Sequence, residues 1–237
     1  PLLNRRGRCT RCPPGGDVIG RRRLDSHVHG LRALGAEIEL RDPFVFRSPR
    51  GLRGADCFLP EASVTATAQL LMAAVLADGV TVLRNAAAEP HIRDLAVLLT
   101  KMGAEIQGIG TGTLTVNGVS ELHGAEHKII SDHAEVGSFL ALGAATGGDV
   151  TVTGVEPTDY PMISRTFARL GIQLSFDGNA VRVAETQDRV VQTDLDGGIP
   201  VIDDGPWPQF PSDLMSVMIV LATQTIGTVL FFEKMYE

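Results

Sequence analysis

The sequence predicts an α/β (α+β) fold built from repeated units. A five-residue pattern, Leu34–Ile38 (LGAEI), returns as Met102–Ile106 and, in weaker form, as Leu170–Leu174. The glycines of the three copies are each 68 residues apart. Apolar residues at helical spacing precede each glycine, and an extended pair of segments follows it. Equal spacing of this kind is typical of a duplicated structural unit.

Each of these glycines is predicted to end a helix. Before Gly103, the residues Ile92, Leu95 and Leu99 lie on one helical face, and Pro90 fits the first turn. Gly103 itself suits the left-handed position just after a helix. The same pattern precedes the other two glycines, with Val28, Leu31 and Leu34 in one case and Met162, Ile163, Phe167 and Leu170 in the other. After Gly171 we expect strands over 172–176 and 180–183, joined by a turn at 177–179.

A second helix is predicted ahead of these segments. Ser63 is a suitable N-cap for a helix over 64–77, which Asp78-Gly79 stops before a strand over 80–83. Matching helices and strands are predicted over 132–145 with 150–153, and over 213–223, after a cap at Ser212, with 228–232. The repeated unit therefore reads helix, strand, helix, strand, strand. The chain holds about two such units, with the rear half of one before them and the front half of one after.

Composition excludes several classes of protein. Hydrophobic residues make up 44% and charged residues 21% of the 237 residues, which is ordinary for a packed protein of one or two domains and excludes disorder. The cysteines number three, too few for a disulfide framework, and they favour a reducing cytoplasm. The basic N-terminus is not followed by the apolar stretch of a signal peptide. Leu214–Phe232 lacks charges, but the polar residues in its middle indicate helix, turn and strand rather than a membrane span.

Charge is distributed unevenly. Residues 1–53 carry 12 arginines and five acids, whereas residues 54–237 are strongly acidic. Arginine suits planar recognition of phosphate and carboxylate, so an anionic ligand is one interpretation and a solvated basic face is the other. Nucleic acid is disfavoured because few aromatic residues lie among the arginines and the whole chain is acidic.

Four stretches carry residues suited to chemistry. The glycine-rich segment 13–23 is no phosphate-binding P-loop, because arginines stand where Lys and Ser/Thr are required. The second stretch is 25–29, where Asp25 has the alternative role of N-cap. A zinc site of Cys9, Cys12, His27 and His29 is disfavoured by the short His-x-His spacing. The remaining stretches are 132–135, whose acids also suit a helix start, and 207–213, which places Asp213 in a first helical turn.

Taken together and in order, these stretches resemble the UDP-N-acetylglucosamine 1-carboxyvinyltransferases, an enolpyruvyl transferase family. The matching motifs are Pro14-Gly15-Gly16-Asp17-x-Ile19-Gly20-x-Arg22, Asp25-x-His27, Ser63-Val64-x-Ala66-Thr67, Asn85-Ala86-Ala87-x-Glu89-Pro90, Asp132-His133-x-Glu135-x-Gly137 and Phe210-Pro211-Ser212-Asp213. The resemblance covers essentially the whole chain.

The resemblance implies an inverse α/β prism built from βαβαββ units in two domains, incomplete in this chain. It implies transfer of enolpyruvate from phosphoenolpyruvate to the 3-hydroxyl of UDP-N-acetylglucosamine, with release of phosphate and without a cofactor or metal. This is the first committed step of peptidoglycan synthesis, and it would place the chain in the cytoplasm, in cell wall biogenesis, cell shape, cell cycle and cell division. We expect no nucleic-acid or membrane partner.

The same resemblance assigns roles to residues. Asp17 stands where most members have a cysteine, the proton donor to phosphoenolpyruvate, and Asp213 would accept the proton of the 3-hydroxyl. Arg22 would bind the phosphate of phosphoenolpyruvate, and Met235 would border the sugar. The uridine side would be lined by Arg23, Leu24, Asp25 and His27, and the diphosphate would contact Ser63, Val64 and Thr65.

This chain also departs from the family. Glu61 replaces a residue that is basic in many members, and the family's early Lys-Asn pair and late arginine are absent. We therefore expect a truncated, central portion with little activity alone. By the resemblance, the Pro14-Gly15-Gly16-Asp17 loop is a lid that closes over the substrates. Residues 1–130 would belong to the domain that bears this lid, and 131–237 to the catalytic domain carrying Asp213. The alternatives are a non-catalytic fragment or anion-binding interaction protein, and 3-phosphoshikimate 1-carboxyvinyltransferase, whose sequences lack the Pro-Gly-Gly and Phe-Pro-Ser-Asp motifs.

Overall fold

A computed structural model describes residues 2–12 and 24–235. The chain divides into two compact units, Pro1–Lys128 and Ile129–Glu237, each with its own apolar core. The assignment of these units to a lid-bearing and a catalytic domain stays a prediction.

The first unit contains one complete βαβαββ repeat. Its elements are β4 (Asp56–Phe58), α3 (Val64–Ala74), β5 (Val80–Arg84), α4 (Pro90–Lys101), β6 (Glu105–Gln107) and β7 (Thr113–Asn117), preceded by α1 (Leu2–Arg6), β1 (Arg8–Arg11), α2 (Asp25–Ala33), β2 (Glu37–Glu39) and β3 (Phe44–Arg47). The four strands of the complete repeat form one sheet in the order β4-β5-β7-β6. β4 runs parallel to β5, and the other two pairs are antiparallel.

The second unit repeats the same arrangement. Its elements are α5 (His133–Thr146), β8 (Val150–Thr153), a 3₁₀ turn (Pro157–Asp159), α6 (Pro161–Arg169), β9 (Leu174–Asp177), β10 (Ala180–Val183), β11 (Val201–Asp203), a 3₁₀ turn (Ser212–Leu214), α7 (Met215–Ala222) and β12 (Leu230–Phe232). The sheet order β8-β10-β9 matches both β5-β7-β6 and the sheet β1-β3-β2. β11 and β12 pair in parallel, as β4 and β5 do. The repeat predicted from the 68-residue spacing is confirmed.

The three repeated glycines end helices as predicted. Gly35, Gly103 and Gly171 follow the last residues of α2, α4 and α6 and have φ angles of 88°, 100° and 73°. These left-handed values favour glycine over any residue with a Cβ. The shared conformation explains why this residue is kept in all three copies.

Several element bounds differ from the prediction. The sequence pattern began each unit with a helix and missed the leading strands β4 and β11, which are three residues long and too short to show a period. Leu214, not Ser212, occupies the N-cap position of α7, and Ser212 opens the preceding 3₁₀ turn without a side-chain cap. Asp25 likewise is the first residue of α2 rather than its N-cap, because Leu24 holds that position.

The apolar stretch 214–232 folds as a helix, a turn and a strand, as predicted. Throughout the described part of the chain, each helix is too short or too polar to cross a lipid bilayer.

Candidate functional site

In the first unit, the starts of α2 and α3 lie side by side because Gly30 allows close packing. A Cβ on Gly30 would lie 2.2 Å from Cδ1 of Leu70, which is a steric clash. Leu70 is fully buried in α3. The absent side chain therefore lets the two helices approach, and this brings the predicted uridine and diphosphate residues into contact.

His27 makes that contact. Its Nδ1 bonds to Oε1 of Gln69, and its Nε2 lies 3.1 Å from Oγ1 of Thr65. Because Gln69 and Thr65 bind the two ring nitrogens from different sides, they fix the orientation of the ring. His27 and Gln69 also line a largely apolar cavity of about 720 Å³ in this unit.

The first turn of α3 is held by a second set of hydrogen bonds. The Ser63 hydroxyl accepts from the backbone N–H of Ala66 at 3.3 Å, which confirms the predicted cap. The Thr67 hydroxyl donates to the carbonyl of Ser63 at 2.8 Å and accepts from the buried N–H of Ala87 at 2.9 Å. Two of the family motifs therefore meet here through one threonine side chain.

The start of α3 has the features of an anion site. The first turn of a helix carries backbone N–H groups that intrahelical bonds do not use, and the helix dipole favours negative charge there. Ser63 and Val64 are half-buried and Thr65 is exposed. Glu61, the departure from the family pattern, accepts a hydrogen bond of 3.3 Å from the buried Ser26 hydroxyl. By the resemblance described above, this carboxylate stands where many members would have a basic residue.

In the second unit, Asp213 lies on a short turn whose neighbours are buried. Leu214 is fully buried and Phe210 is 2% exposed, whereas Asp213 is exposed and accepts no hydrogen bond from the described residues. Leu214 packs against α5 at Gly137, where a Cβ would lie 2.7 Å from Leu214 Cδ1. The turn is thus fixed by its apolar neighbours and presents a carboxylate able to accept a proton.

The two neighbouring motifs support this turn. Asp132 caps α5, since its Oδ1 accepts from the N–H groups of Ala134 at 2.8 Å and Glu135 at 3.3 Å. The ring of His133 lies 5.3 Å from that of Trp207 at an angle of 59°, which links the start of α5 to the proline-rich loop. The helix-start interpretation of Asp132 is therefore the one that the structure supports.

The other predicted site residues lie as follows. Met235 follows β12 and is exposed, with its N–H donating to Oε1 of Glu233 at 3.1 Å. Leu24 and Asp25 open α2. Asp17, Arg22 and Arg23 lie outside the described residues.

Over the ranges 2–12 and 24–235, no three His, Cys, Asp or Glu side chains are grouped to hold a metal ion.

The sequence did not predict the roles of two polar residues. Gln69 orients His27 from 42 positions away, and Asp204 bonds to the backbone of Lys234 from 30 positions away. Neither belongs to a motif, and a contact of such separation leaves no local pattern that could have revealed it.

Comparison with known proteins identifies the family. The profile of EPSP synthase (3-phosphoshikimate 1-carboxyvinyltransferase) matches residues 3–236. The chain belongs to this family. Curated relatives named UDP-N-acetylglucosamine 1-carboxyvinyltransferase include those of Treponema denticola, 51% identical, and Borreliella burgdorferi, 48% identical, each over the whole of this chain. The chain spans only 55% and 56% of these relatives, about half their length.

Solved structures show the same fold. The enolpyruvyl transferase NikO from Streptomyces tendae superposes with a TM-score of 0.79 at 16% identity, over 98% of this chain and 54% of its own. An EPSP synthase from Acinetobacter baumannii gives a TM-score of 0.58 at 20% identity, over 78% of this chain and 44% of its own. The fold class and the family resemblance predicted from the sequence are confirmed.

Proposed function

We propose that this chain is the portion of an enolpyruvyl transferase that carries the lid and the catalytic base. The complete enzyme transfers enolpyruvate from phosphoenolpyruvate to the 3-hydroxyl of UDP-N-acetylglucosamine. The observation that carries this proposal is that relatives named UDP-N-acetylglucosamine 1-carboxyvinyltransferase match the chain from end to end at about 50% identity. The exposed carboxylate of Asp213, on a turn fixed by buried neighbours, supports it.

The chemistry requires a base beside the sugar. The 3-hydroxyl oxygen forms a bond to C2 of phosphoenolpyruvate, the bond from C2 to the phosphate oxygen breaks, and phosphate leaves with that electron pair. The hydroxyl proton must be taken up as the new bond forms, and Asp213 is the group we assign to it. Asp17 is assigned the transient protonation of the methylene carbon, and Arg22 the binding of the phosphate.

The parts of the substrate are assigned to separate groups of residues. The start of α3, with Ser63, Val64 and Thr65, takes the diphosphate, because a helix start with a capping serine favours an anion. Leu24, Asp25, His27 and Arg23 take the uridine side, and Met235 borders the sugar. The first unit is then the lid-bearing domain and the second the catalytic domain. The reaction belongs to peptidoglycan synthesis in the cytoplasm, and through it to cell wall biogenesis, cell shape, cell cycle and cell division.

The test is phosphate release in a full-length chimera. In it, the flanking segments of the Treponema denticola relative extend this chain to the full length of that relative. We expect the chimera to release phosphate from phosphoenolpyruvate with UDP-N-acetylglucosamine and not with shikimate 3-phosphate. The 237-residue chain alone should be slower by at least about 10²-fold, since removing one preorganised charge costs roughly 10²–10³ in rate.

The outcomes separate the alternatives. Release with shikimate 3-phosphate alone would support the sister activity. A chimera that is folded but inactive with both acceptors would support a non-catalytic, anion-binding role. Full turnover by the isolated chain would contradict the expected need for the flanking segments.

A further inference from the structure

Asp204 is a fully buried carboxylate one residue after the end of β11. It is 0% exposed, and it directly precedes the loop that leads to Asp213. A buried carboxylate is costly unless hydrogen bonds replace the water it loses. Its presence at this position therefore calls for a physical reason.

One oxygen of Asp204 ties two strand ends together. Its Oδ1 accepts from the backbone N–H of Lys234 at 2.6 Å, just beyond β12. β11 and β12 are parallel, with Asp203 opposite Phe232, so the segments that follow the two strands leave the sheet at the same end. The segment after β11 carries Asp213, and the segment after β12 carries Met235. A single buried carboxylate thus joins the two segments to which the base and a sugar contact are assigned.

The loop between Asp204 and Asp213 is braced internally. The N–H of Gly205 donates to the carbonyl of Phe210 at 3.1 Å, and that of Gln209 donates to the carbonyl of Pro206 at 3.1 Å. Phe210 is buried in the core of the unit. A shift of Asp204 is therefore passed through a short, hydrogen-bonded loop to the turn of Asp213.

The second oxygen of Asp204 points to a role other than stability. Oδ2 is buried and has no hydrogen-bond partner among the described residues. A half-satisfied buried carboxylate destabilises a fold relative to a fully satisfied or apolar side chain. The residue is therefore poorly explained as a device for stability alone.

We propose that Asp204 is a positioning residue for the transfer reaction, and this inference rests on the proposed function. By binding the N–H of Lys234, it holds the segments of Asp213 and Met235 in register at one end of the β11–β12 pair. In this role it acts through the backbone of the two segments and not through contact with the substrate.

The test compares Asp204→Ala, Asp204→Asn and Asp203→Ala in the full-length chimera. Asp204→Ala removes the hydrogen bond and should lower kcat by about 10- to 100-fold, as expected for a small misplacement of a reacting group. Asp204→Asn keeps an acceptor oxygen and should retain most of kcat. Asp203 is the matched control, because its half-exposed carboxylate pairs with the side-chain Nζ of the same Lys234 and its removal should leave kcat unchanged.

A second readout follows the hydrogen bond itself. Exchange of the Lys234 amide hydrogen should be slow in the parent and in Asp203→Ala, and fast in Asp204→Ala. If Asp204→Ala does not fold, Lys234→Pro removes the same bond from the donor side and should give the same fall in kcat.

The inference is overturned if kcat of the folded Asp204→Ala variant equals that of Asp203→Ala, or if Asp204→Asn loses as much as Asp204→Ala. These results differ from failure of the proposed function, in which the parent chimera itself releases no phosphate with UDP-N-acetylglucosamine.

Discussion

At the scale of single residues, the Thr67 hydroxyl shows how a motif residue can hold two backbone segments together. It connects the start of α3 to the turn before α4 by donating to Ser63 and accepting from Ala87. Thr67→Val keeps the shape but leaves the buried Ala87 N–H unsatisfied, which should cost about 1–3 kcal/mol in the free energy of unfolding.

Urea unfolding of the 237-residue chain measures this cost. The control is Thr100→Val, because Thr100 is an exposed residue whose hydroxyl donates only to a carbonyl of its own helix, and its loss should change stability by less than about 0.5 kcal/mol. Equal stability of Thr67→Val and the parent would show that the bridge contributes nothing.

Asp17 carries a prediction about inhibition. The epoxide fosfomycin alkylates the lid cysteine of the family that this chain resembles, and a carboxylate is a much weaker nucleophile than a thiolate. The full-length chimera should therefore be insensitive to fosfomycin, and Asp17→Cys should introduce time-dependent inactivation with a covalent adduct at position 17. Mass spectrometry of both proteins is the measurement, and an adduct on the parent would contradict the assignment.

At the scale of elements, the α2–α3 contact depends on the missing side chain of Gly30. Gly30→Ala places a methyl group within 3 Å of three side-chain atoms of buried Leu70, so either that side chain or the two helices must shift. We expect a loss of about 1–3 kcal/mol in stability, typical of overpacking, together with a changed NMR shift of the His27 ring.

Gly124→Ala is the matched control in the same unit, because a Cβ there meets nothing within 4 Å. An unchanged His27 signal in a folded Gly30→Ala protein would mean that this helix contact does not position the ring.

Tyr160 lies at the start of α6, and its ring contacts Phe176 in β9. Its buried hydroxyl makes the stability of the second unit depend on pH in the alkaline range. Tyr160 is 1% exposed, its ring lies 6.0 Å from that of Phe176, and burial raises the pKa of its hydroxyl. As pH rises through the unfolded pKa, near 10, the unfolded chain loses this proton first. The stability associated with the neutral hydroxyl is therefore full below that pH and is lost as pH rises toward the folded pKa.

Tyr160→Phe should remove this dependence. Above pH 10 the parent should lose up to about 1.4 kcal/mol per pH unit relative to the variant, while the difference between them stays constant from pH 7 to 9. Urea unfolding at pH 8 and pH 11 measures it. A parent and variant that respond identically to pH would show that the hydroxyl titrates equally in both states.

At the scale of elements, some features of the fold follow from local sequence patterns and others depend on contacts between distant residues. The glycines at 35, 103 and 171 and the Ser63 cap follow local rules, and each is found where expected. The strands β4 and β11 were missed because three residues show no period. The roles of Gln69 and Asp204 depend on contacts across 42 and 30 positions, which one sequence does not encode locally.

At the scale of the whole molecule, three copies of one sheet arrangement recur in a chain that spans about half the length of its curated relatives. The two units have separate cores, and each carries one group of the predicted site residues. In the proposed function the first unit supplies the lid and the contacts to the nucleotide, and the second supplies the base.

The most direct measurement is the turnover of Asp213→Asn in the full-length chimera, compared with its affinity for UDP-N-acetylglucosamine. The substitution keeps size and polarity but removes the group that accepts the 3-hydroxyl proton. We expect kcat to fall by about 10²–10⁴-fold, while the Kd for UDP-N-acetylglucosamine changes by less than about threefold. A folded Asp213→Asn chimera that turns over at the parent rate would contradict the assignment of Asp213 as the base.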